Sequence, residues 1–295
     1  MFSAQPTNKS NTVQISHPSI KKAGVELFIK RLDLPDPISM GNKGYKLKHN
    51  LIEAKNQGLD TILTFGGAYS NHIVATAAIC NKEGLKSIGI IRGNEIEVLN
   101  PSLNYANEQG MKLHFVSREE YRNKENKNFI DALTERFGSF YMVHEGGSNK
   151  LGVKGCMEIL ESEDAIYDTI AVACGTGTTL AGIVSSLNEN QNAIGVAVLN
   201  AQDYLEKNVL KYIPEKRKTQ FEIINDFHFG GYAKSNDELN NFVESFNAQS
   251  GIEIEPIYTG KLIYAITEMI NNRCLKPNTK VLALHTGGLQ YIKLK

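Results

Sequence analysis

The sequence predicts an α/β fold in which parallel strands are joined by crossover helices. From Val25 onward, short runs of β-branched and aromatic residues alternate with longer segments whose apolar residues recur with helical period. Glycine directly follows two of the predicted helices, as it does where many helices end. The chain has 295 residues and is 41% hydrophobic, which is enough for a large buried core in one or two domains.

The predicted elements follow one another in a regular order. The first unit is a helix over residues 45–57, a strand over residues 61–64 and a helix over residues 72–83. A late helix is indicated by four apolar residues between positions 262 and 270, which recur at helical spacing and therefore belong to the core. The other predicted elements are strands at residues 87–91, 112–116, 140–143, 169–173 and 281–284, and helices at residues 126–137, 152–163 and 178–187.

Charge and composition exclude several classes of partner. Lys and Arg total 32 and Asp and Glu total 32, so no overall field favours nucleic acid or an acidic membrane surface. Residues 1–18 are polar and lack the apolar core of a signal peptide. No apolar run approaches the roughly 20 residues needed to cross a bilayer. We therefore expect no nucleic-acid partner, no membrane partner and a small-molecule ligand.

The cysteines indicate a reducing compartment. They are widely separated, form no C-x-x-C pair and lie in segments predicted as helix or buried strand. We expect free thiols, a cytoplasmic location and no metal site. The four residues are Cys80, Cys156, Cys174 and Cys274.

The tract GNKGYKL at residues 41–47 is the most informative part of the chain. A lysine just before a helix can be held in a cavity, where it can form a Schiff base with an aldehyde cofactor. Lys43 is the candidate for this role. Taken alone, the tract would more often hold an ordinary solvated lysine.

A second polar tract, GGAYSNH at residues 66–72, stands between a predicted strand and a predicted helix. Either Ser70 or Asn71 is well placed to cap the helix, and capping alone would explain both residues. Together with His72 they also offer a hydroxyl, an amide and an imidazole at a helix N-terminus. Such a set can hold a carboxylate or the phenolic oxygen of a pyridine ring.

Two further turns follow strands. Residues 174–179, CGTGTT, join an apolar strand to a helix, and their glycines and threonines predict a phosphate site at the positive end of that helix. A tight turn built only for packing would look similar. Residues 285–288, HTGG, follow the last predicted strand, and ligands bind at strand carboxyl ends in α/β sheets.

These motifs in their order resemble one family over nearly the whole chain. The family is that of the pyridoxal-phosphate enzymes that include 1-aminocyclopropane-1-carboxylate deaminase and D-cysteine desulfhydrase, of the tryptophan-synthase-β fold type, fold type II. The resemblance implies two three-layer αβα domains with twisted, mostly parallel sheets, a pyridoxal 5'-phosphate cofactor and a homodimer. It implies a large cofactor-binding domain of residues 1–46 and 151–295 and a small inserted domain of residues 47–150. The motifs are GNKxxKL, GGxxSN, GTGTT, YTGK and HTGG.

The resemblance also implies roles for individual residues. Lys43 looks like the Schiff-base lysine, and Ser70 looks like the active-site serine. Tyr232 and Tyr258 resemble the family's two active-site tyrosines, although on sequence alone each would more often be a packing residue. The implied cofactor-binding residues are Lys43, Asn71, Gly175, Thr176, Gly177, Thr178, Thr179 and Thr286, and the implied substrate-binding residues are Tyr69, Ser70, Asn71, His72 and Thr259.

Two threonines bear on the substrate. Where cyclopropane deaminases have glutamate and leucine, this chain has Thr259 and Thr286, as in the desulfhydrase branch. A carboxylate beside the pyridine nitrogen makes the ring a strong electron sink, whereas a hydroxyl leaves the nitrogen nearly neutral. We therefore expect β-elimination from a small amino acid, with D-cysteine giving pyruvate, ammonia and hydrogen sulfide.

Other outcomes stay open at this point. The family commonly has Thr-Arg at the positions of Gly44 and Tyr45, and Gln at the position of Tyr69. Tyr69 is bulky and adjoins Ser70, so it bears on which amino acid fits. The alternatives are a cyclopropane deaminase, a racemase or dehydratase of the same fold, and a binding protein that has lost turnover.

Overall fold

The computed structural model describes residues 1–7, 11–34, 36, 41–95, 97–200 and 203–294. Within these ranges the chain forms eleven strands. They are β1 (Ser3–Pro6), β2 (Thr12–Ser16), β3 (Glu26–Arg31), β4 (Thr61–Gly67), β5 (Lys86–Arg92), β6 (Met111–Val116), β7 (Tyr141–Val143), β8 (Thr169–Cys174), β9 (Asn192–Ala197), β10 (Phe221–Ile224) and β11 (Lys280–His285).

Helices cover most of the connections between these strands. They are α1 (Pro18–Ala23), α2 (Asn42–Asn56), α3 (Asn71–Lys82), α4 (Pro101–Glu108), α5 (Arg118–Arg122), α6 (Lys127–Phe137), α7 (Lys150–Cys156), α8 (Thr178–Ser186), α9 (Asp203–Leu210), α10 (Asp237–Ser250), α11 (Thr259–Asn271) and α12 (Gln290–Lys293). None of the helices in the described ranges is long and apolar enough to span a bilayer.

The strands form two sheets. Seven strands form the larger sheet in the order β1-β2-β3-β11-β8-β9-β10, and four form the smaller one in the order β6-β5-β4-β7. Every pairing is parallel except those of β1 with β2 and of β2 with β3. The prediction of an α/β fold with mostly parallel sheets is therefore confirmed.

Both faces of each sheet are covered, which gives the three-layer arrangement. In β3, Leu27 and Ile29 belong to the core on one face of the large sheet, and Phe28 belongs to the core on the other. In β4 of the small sheet, Leu63 and Ile62 likewise enter different cores. Because successive side chains of a strand point to opposite faces, nearly continuous apolar strands fit sheets that are buried on both sides.

The division of the chain into two domains stays a proposal, and the two sheets support it. Residues 61–143 supply all four strands of the small sheet. The proposed boundary after residue 46 falls inside α2, so this helix would run from one part of the protein into the other. The three cysteines at positions 80, 156 and 174 are buried free thiols, as expected, and Cys274 is free and exposed.

The prediction of a helix over residues 152–163 is wrong in its second half. Helix α7 ends at Cys156, and a short 3-10 turn follows at Ser162–Ile166. The Lys30 ammonium on β3 forms ion pairs with two carboxylates of this region. Its Nζ lies 2.5 Å from Asp164 Oδ2 and 3.0 Å from Glu161 Oε2. Where the prediction placed the last helical turns, the chain instead holds two carboxylates against the buried ammonium of Lys30.

Helix α2 lies directly against α7, and glycine makes this possible. A β-carbon on Gly155 would stand 1.8 Å from the carbonyl oxygen of Tyr45. That oxygen belongs to the α2 backbone, so it cannot move aside as a side chain could. The position of the first turn of α2 therefore depends on the missing side chain at residue 155.

We predict that Gly155→Ala destabilises the protein by roughly 1–3 kcal/mol or more, because overpacking forces backbone shifts. The free energy of unfolding in urea measures this change. Lys154→Ala, on the exposed side of the same helix, is the matched control and should alter stability little. Equal effects of the two substitutions would contradict the packing argument.

Candidate active site

A cavity of about 570 Å³ lies where strands of the two sheets end. Its walls come from the segments after β4, β5, β8 and β11 and from the first turn of α2. Carboxyl ends of parallel strands are the usual ligand sites of α/β sheets. Two tracts that are far apart in the sequence meet here, because the backbone N–H of Asn42 donates to the carbonyl oxygen of Thr286 at 3.3 Å.

Most of the residues predicted for the site line this single cavity. Two do not, namely Thr178 and Thr259, which are both fully buried behind its wall. The predicted residues in the lining are Lys43, Tyr69, Ser70, Asn71, His72, Gly175, Thr176, Gly177, Thr179, Tyr232, Tyr258 and Thr286. The roles assigned to all fourteen residues stay predictions.

Lys43 stands in the first turn of α2, where Gly41 permits a close backbone approach. Gly41 has φ 75° at the N-cap, and a β-carbon there would lie 2.3 Å from the Thr286 carbonyl oxygen. Lys43 Nζ donates to Asn42 Oδ1 at 2.8 Å. Burial, with the charge of Lys46 nearby, lowers the Lys43 pKa to about 7. An amine with this pKa is partly uncharged at neutral pH, as a nucleophile or a base requires.

Lys46 is a second buried cation in the same cavity, one helical turn further along α2. Its side chain is 4% exposed, and Nζ donates to the carbonyl oxygen of Gly146 at 3.1 Å. Burial lowers its pKa as well. Two positively charged ammonium groups in one cavity repel each other, so the cavity favours an anionic ligand.

Ser70 caps α3, and its Oγ accepts from the backbone N–H groups of His72 and Ile73 at 3.2 and 3.4 Å. The helix N-terminus with Asn71 and His72 therefore faces the cavity. Such a terminus attracts a carboxylate or a phenolic oxygen.

His72 is held in one tautomer. Thr64 Oγ1 donates to the Val143 carbonyl oxygen at 2.8 Å, so it accepts from His72 Nε2, 2.9 Å away. Burial, with Lys43 and Lys46 nearby, holds the His72 pKa well below its usual value, so the ring is neutral. Its Nδ1 is buried and has no hydrogen-bond partner among the described residues. This nitrogen can accept a hydrogen bond from a ligand.

The turn between β8 and α8 carries the predicted phosphate site. Gly177 is in the left-handed conformation at φ 79°, which turns the backbone into the start of α8. Thr179 Oγ1 accepts from Asn42 Nδ2 at 2.9 Å, so the asparagine next to Lys43 joins this turn directly. Thr178 instead donates its hydroxyl to Ser148 Oγ at 2.9 Å, on the far side of the turn.

The two predicted tyrosines form a pair at the cavity. Their rings are 6.0 Å apart and edge-on, and the Tyr258 ring lies 6.0 Å from Lys43 Nζ. Burial raises the Tyr258 pKa well above its usual value, so its hydroxyl stays protonated. Tyr232 is 45% exposed and Tyr69 is 66% exposed, which places both at the mouth.

Sequence reasoning did not identify Glu255, which is 1% exposed. Its Oε1 accepts from the backbone N–H groups of Tyr258 and Thr259 and from the Thr259 hydroxyl, at 2.8 to 3.1 Å. Burial raises its pKa to about 7. Thr259 is thus turned toward Glu255, and of the two threonines predicted to bear on the substrate only Thr286 lines the cavity.

Three other residues of the cavity wall were also missed. Lys46 is the second lysine of the GNKxxKL motif, so the pair of lysines in that motif could have indicated it. Arg92 ends β5 and Glu145 follows β7, and no local pattern marks either residue. Glu145 pairs with Lys124 at 3.5 Å.

Comparison with known proteins identifies the class. A family model described as pyridoxal-phosphate dependent enzyme matches residues 6–287. A Thermotoga maritima protein provisionally assigned as a 1-aminocyclopropane-1-carboxylate deaminase is 33% identical over 95% of this chain and 94% of its own length. An Arabidopsis thaliana protein described as a mitochondrial bifunctional D-cysteine desulfhydrase and 1-aminocyclopropane-1-carboxylate deaminase is 32% identical over 90% of this chain and 73% of its own length.

A solved structure supports the same assignment. A 1-aminocyclopropane-1-carboxylate deaminase homologue matches the fold with a TM-score of 0.78 at 26% identity, covering 100% of this chain and 92% of that one. The chain therefore belongs to the family of pyridoxal-phosphate-dependent enzymes, and its fold is fold type II. Within that family it groups with the 1-aminocyclopropane-1-carboxylate deaminases and the D-cysteine desulfhydrases.

The cavity fits the cofactor of this family. Pyridoxal phosphate needs a lysine amine for its aldehyde, donors and positive charge for its phosphate, and a partner for its ring nitrogen. The amine of Lys43 has a lowered pKa, and the ammonium of Lys46 lies beside it. The turn at residues 175–179 supplies backbone and hydroxyl donors at a helix start, and Thr286 supplies a hydroxyl on another wall.

The lowered pKa of Lys43 predicts that its burial reduces the free energy of unfolding by an amount that depends on pH. Below about pH 7 the folded protein carries a buried ammonium, and this cost disappears as the pH rises from about 7 toward the ordinary lysine value of 10.5. Lys43→Met should therefore stabilise the cofactor-free protein by roughly 1–3 kcal/mol at pH 7, with a smaller gain at pH 10.

Urea denaturation of the cofactor-free protein at the two pH values measures this gain. The matched control is Lys82→Met, on the exposed end of α3, whose effect should be small and equal at both pH values. A Lys43→Met gain that does not change with pH would show that the amine is not desolvated.

Proposed function

We propose that this protein catalyses a deaminating α,β-elimination on a small amino acid, as D-cysteine desulfhydrases do. D-cysteine and one water would give pyruvate, ammonia and hydrogen sulfide. The observation that carries this proposal is the presence of Thr286, rather than an acidic residue, in the cavity wall after β11. There the cavity wall offers a hydroxyl, and among the described lining residues the only carboxylate is Glu145, on the side of the small sheet.

The polarity of that wall bears on which bond can break. A carboxylate against the ring nitrogen would keep it protonated and strengthen electron withdrawal, whereas a hydroxyl leaves it nearly neutral. Thiolate is a good leaving group and needs less withdrawal than the opening of an unactivated cyclopropane. Glu255 does not replace the missing carboxylate at the wall, because it is not among the described lining residues and its oxygens accept from the backbone N–H groups of residues 257, 258 and 259.

Lys43 would perform two tasks in this reaction. Its amine would hold the cofactor covalently, and in its uncharged form the same amine would remove the α-proton of the substrate. When bound, the cofactor supplies a ring that accepts the negative charge developing at the substrate α-carbon. A Lys43 pKa of about 7 suits a base that must be uncharged near neutral pH.

Other residues of the cavity would orient the substrate. The N-terminus of α3, with Ser70 and Asn71, would hold the substrate carboxylate. Tyr258 keeps its proton and its ring lies 6.0 Å from Lys43 Nζ, so its hydroxyl would donate a hydrogen bond to the departing group. This arrangement would set the α-C–H bond perpendicular to the ring, so that the proton can be removed. Elimination and racemisation share that step, and the orientation of the β-leaving group would then favour elimination.

Deamination of 1-aminocyclopropane-1-carboxylate is the second candidate. The Thermotoga maritima relative carries that assignment, and the Arabidopsis thaliana relative is described with both activities. This reaction would use the same lysine and the same phosphate turn. The two candidates therefore differ in how strongly the ring must withdraw electrons.

A product assay on the purified holoenzyme tests the proposal. D-cysteine, L-cysteine, D-serine and the cyclopropane amino acid are incubated separately, and pyruvate, sulfide and 2-ketobutyrate are measured. We expect pyruvate and sulfide from D-cysteine. Formation of 2-ketobutyrate from the cyclopropane alone would establish the second candidate, and a coloured protein that turns over none of the four would indicate a binding role.

Lys43→Ala provides the control for the covalent link. The variant should lose the visible absorbance of bound cofactor and its reduction by borohydride, with activity reduced by at least about 10³-fold. Lys48→Ala, on the exposed surface of α2, should keep both properties. A Lys43→Ala protein that retained a reducible chromophore would assign the link to another lysine.

Tyr69 should restrict the size of the substrate. It stands at the mouth of the cavity beside Ser70, with its ring largely exposed. Tyr69→Gln should shift the ratio of kcat/KM values toward amino acids larger than cysteine by roughly tenfold. Tyr204→Gln, which replaces another exposed tyrosine of the lining, is the control. An unchanged ratio in Tyr69→Gln would remove this residue from substrate selection.

A further inference from the structure

Lys261 is a fully buried cation whose ammonium contacts backbone carbonyls. Its side chain is 0% exposed, and Nζ donates to the carbonyl oxygens of Val198, His228 and Gly231 at 3.2, 2.8 and 2.9 Å. Within the described ranges no carboxylate lies at ion-pair distance from it. The three acceptors satisfy the three protons of the ammonium.

Two of these carbonyls belong to an irregular turn. Residues 228–233 include four positive φ angles, of 52° at Phe229, 89° at Gly230, 119° at Gly231 and 56° at Ala233. Such angles are costly for residues with a β-carbon, so this backbone needs support from outside the turn. The Lys261 ammonium draws the carbonyls at both ends of residues 228–231 to one point.

The turn leads directly to the cavity. Tyr232 follows Gly231, and its ring meets that of Tyr258, which lies 6.0 Å from Lys43 Nζ. Tyr258 precedes Lys261 by three residues at the same end of α11. One helix terminus therefore carries both the partner of Tyr232 and the cation that holds the turn bearing Tyr232.

The location of Lys261 is unfavourable for a lysine. A cation near a helix N-terminus opposes the helix dipole, and full burial removes its hydration. Burial lowers the Lys261 pKa to about 8. An apolar side chain of similar length would fill the same space without this cost, but it could not gather three carbonyls.

We propose that Lys261 is a positioning residue that fixes the turn at residues 228–231 and thereby sets Tyr232 against Tyr258 at the cavity. The proposal rests on the proposed function only in taking Tyr232 as a site residue. The position of the turn can be measured without any substrate.

The test uses holoenzyme carrying Lys261→Ala. Amide hydrogen exchange in residues 227–233 should become faster, and kcat/KM should fall by an amount on the order of 100-fold, as for a misplaced active-site group. The truncation leaves room for a small cation, so added methylammonium should restore part of both. Lys30→Ala is the matched control, because Lys30 is equally buried but pairs with Asp164 and Glu161. Lys30→Ala should leave amide hydrogen exchange in residues 227–233 unchanged, and added methylammonium should have no effect on exchange there.

A double-mutant cycle separates positioning from a general loss of structure. If Lys261 acts through Tyr232, Lys261→Ala should lower kcat/KM by less than about threefold in a Tyr232→Phe background. Independent, multiplying effects would overturn the proposal, as would unchanged exchange in residues 227–233. If Lys261→Ala does not fold, Lys261→Met is used for the exchange measurement and the cycle. Altered exchange with no turnover of any substrate would support the positioning role while refuting the proposed reaction.

Discussion

The site depends on the burial of two lysines next to each other. Lys43 and Lys46 stand one helical turn apart in a single cavity, and burial lowers the pKa of both. The charge of Lys46 disfavours a proton on Lys43, and none of the ion pairs found among the described residues joins either lysine to a carboxylate. The stabilising charge therefore has to come from a ligand. A phosphate monoester at the predicted phosphate turn, residues 175–179, would meet that need, because it would bring negative charge into the cavity that Lys43 and Lys46 line.

The fold holds these lysines through contacts between backbones. Gly41 lets the start of α2 touch the turn after β11, and Gly155 lets the same helix touch α7. The Asn42 amide then joins Lys43 on one side to Thr179 on the other. The amine, the phosphate turn and the threonine of the last motif are thus connected through a single helix start. Displacement of that helix start would disturb all three together, which explains why such short polar tracts can define the site.

Local patterns predicted the parts of the protein that obey local rules. Glycine-rich turns after apolar strands collect at one edge of a parallel sheet, so twelve of the fourteen predicted residues share one cavity. The prediction of a helix over residues 152–163 was wrong in its second half. There Glu161 and Asp164 pair with Lys30, which lies more than 130 positions earlier in the chain. Arg92 escaped because no local pattern marks it, and Glu255 escaped because its partners are nearby backbone N–H groups, which leave no signature in the sequence. Short terminal strands such as β1 carry too few apolar residues to be recognised by periodicity.

Helix α2 joins the region of the large sheet to that of the small one. Its first turn meets the turn after β11, and Leu51 and Ala54 near its other end are buried in a core of the small sheet. Because both contacts belong to one continuous helix, a repacking of the small-sheet core would be transmitted along α2 to the lysine beside Asn42.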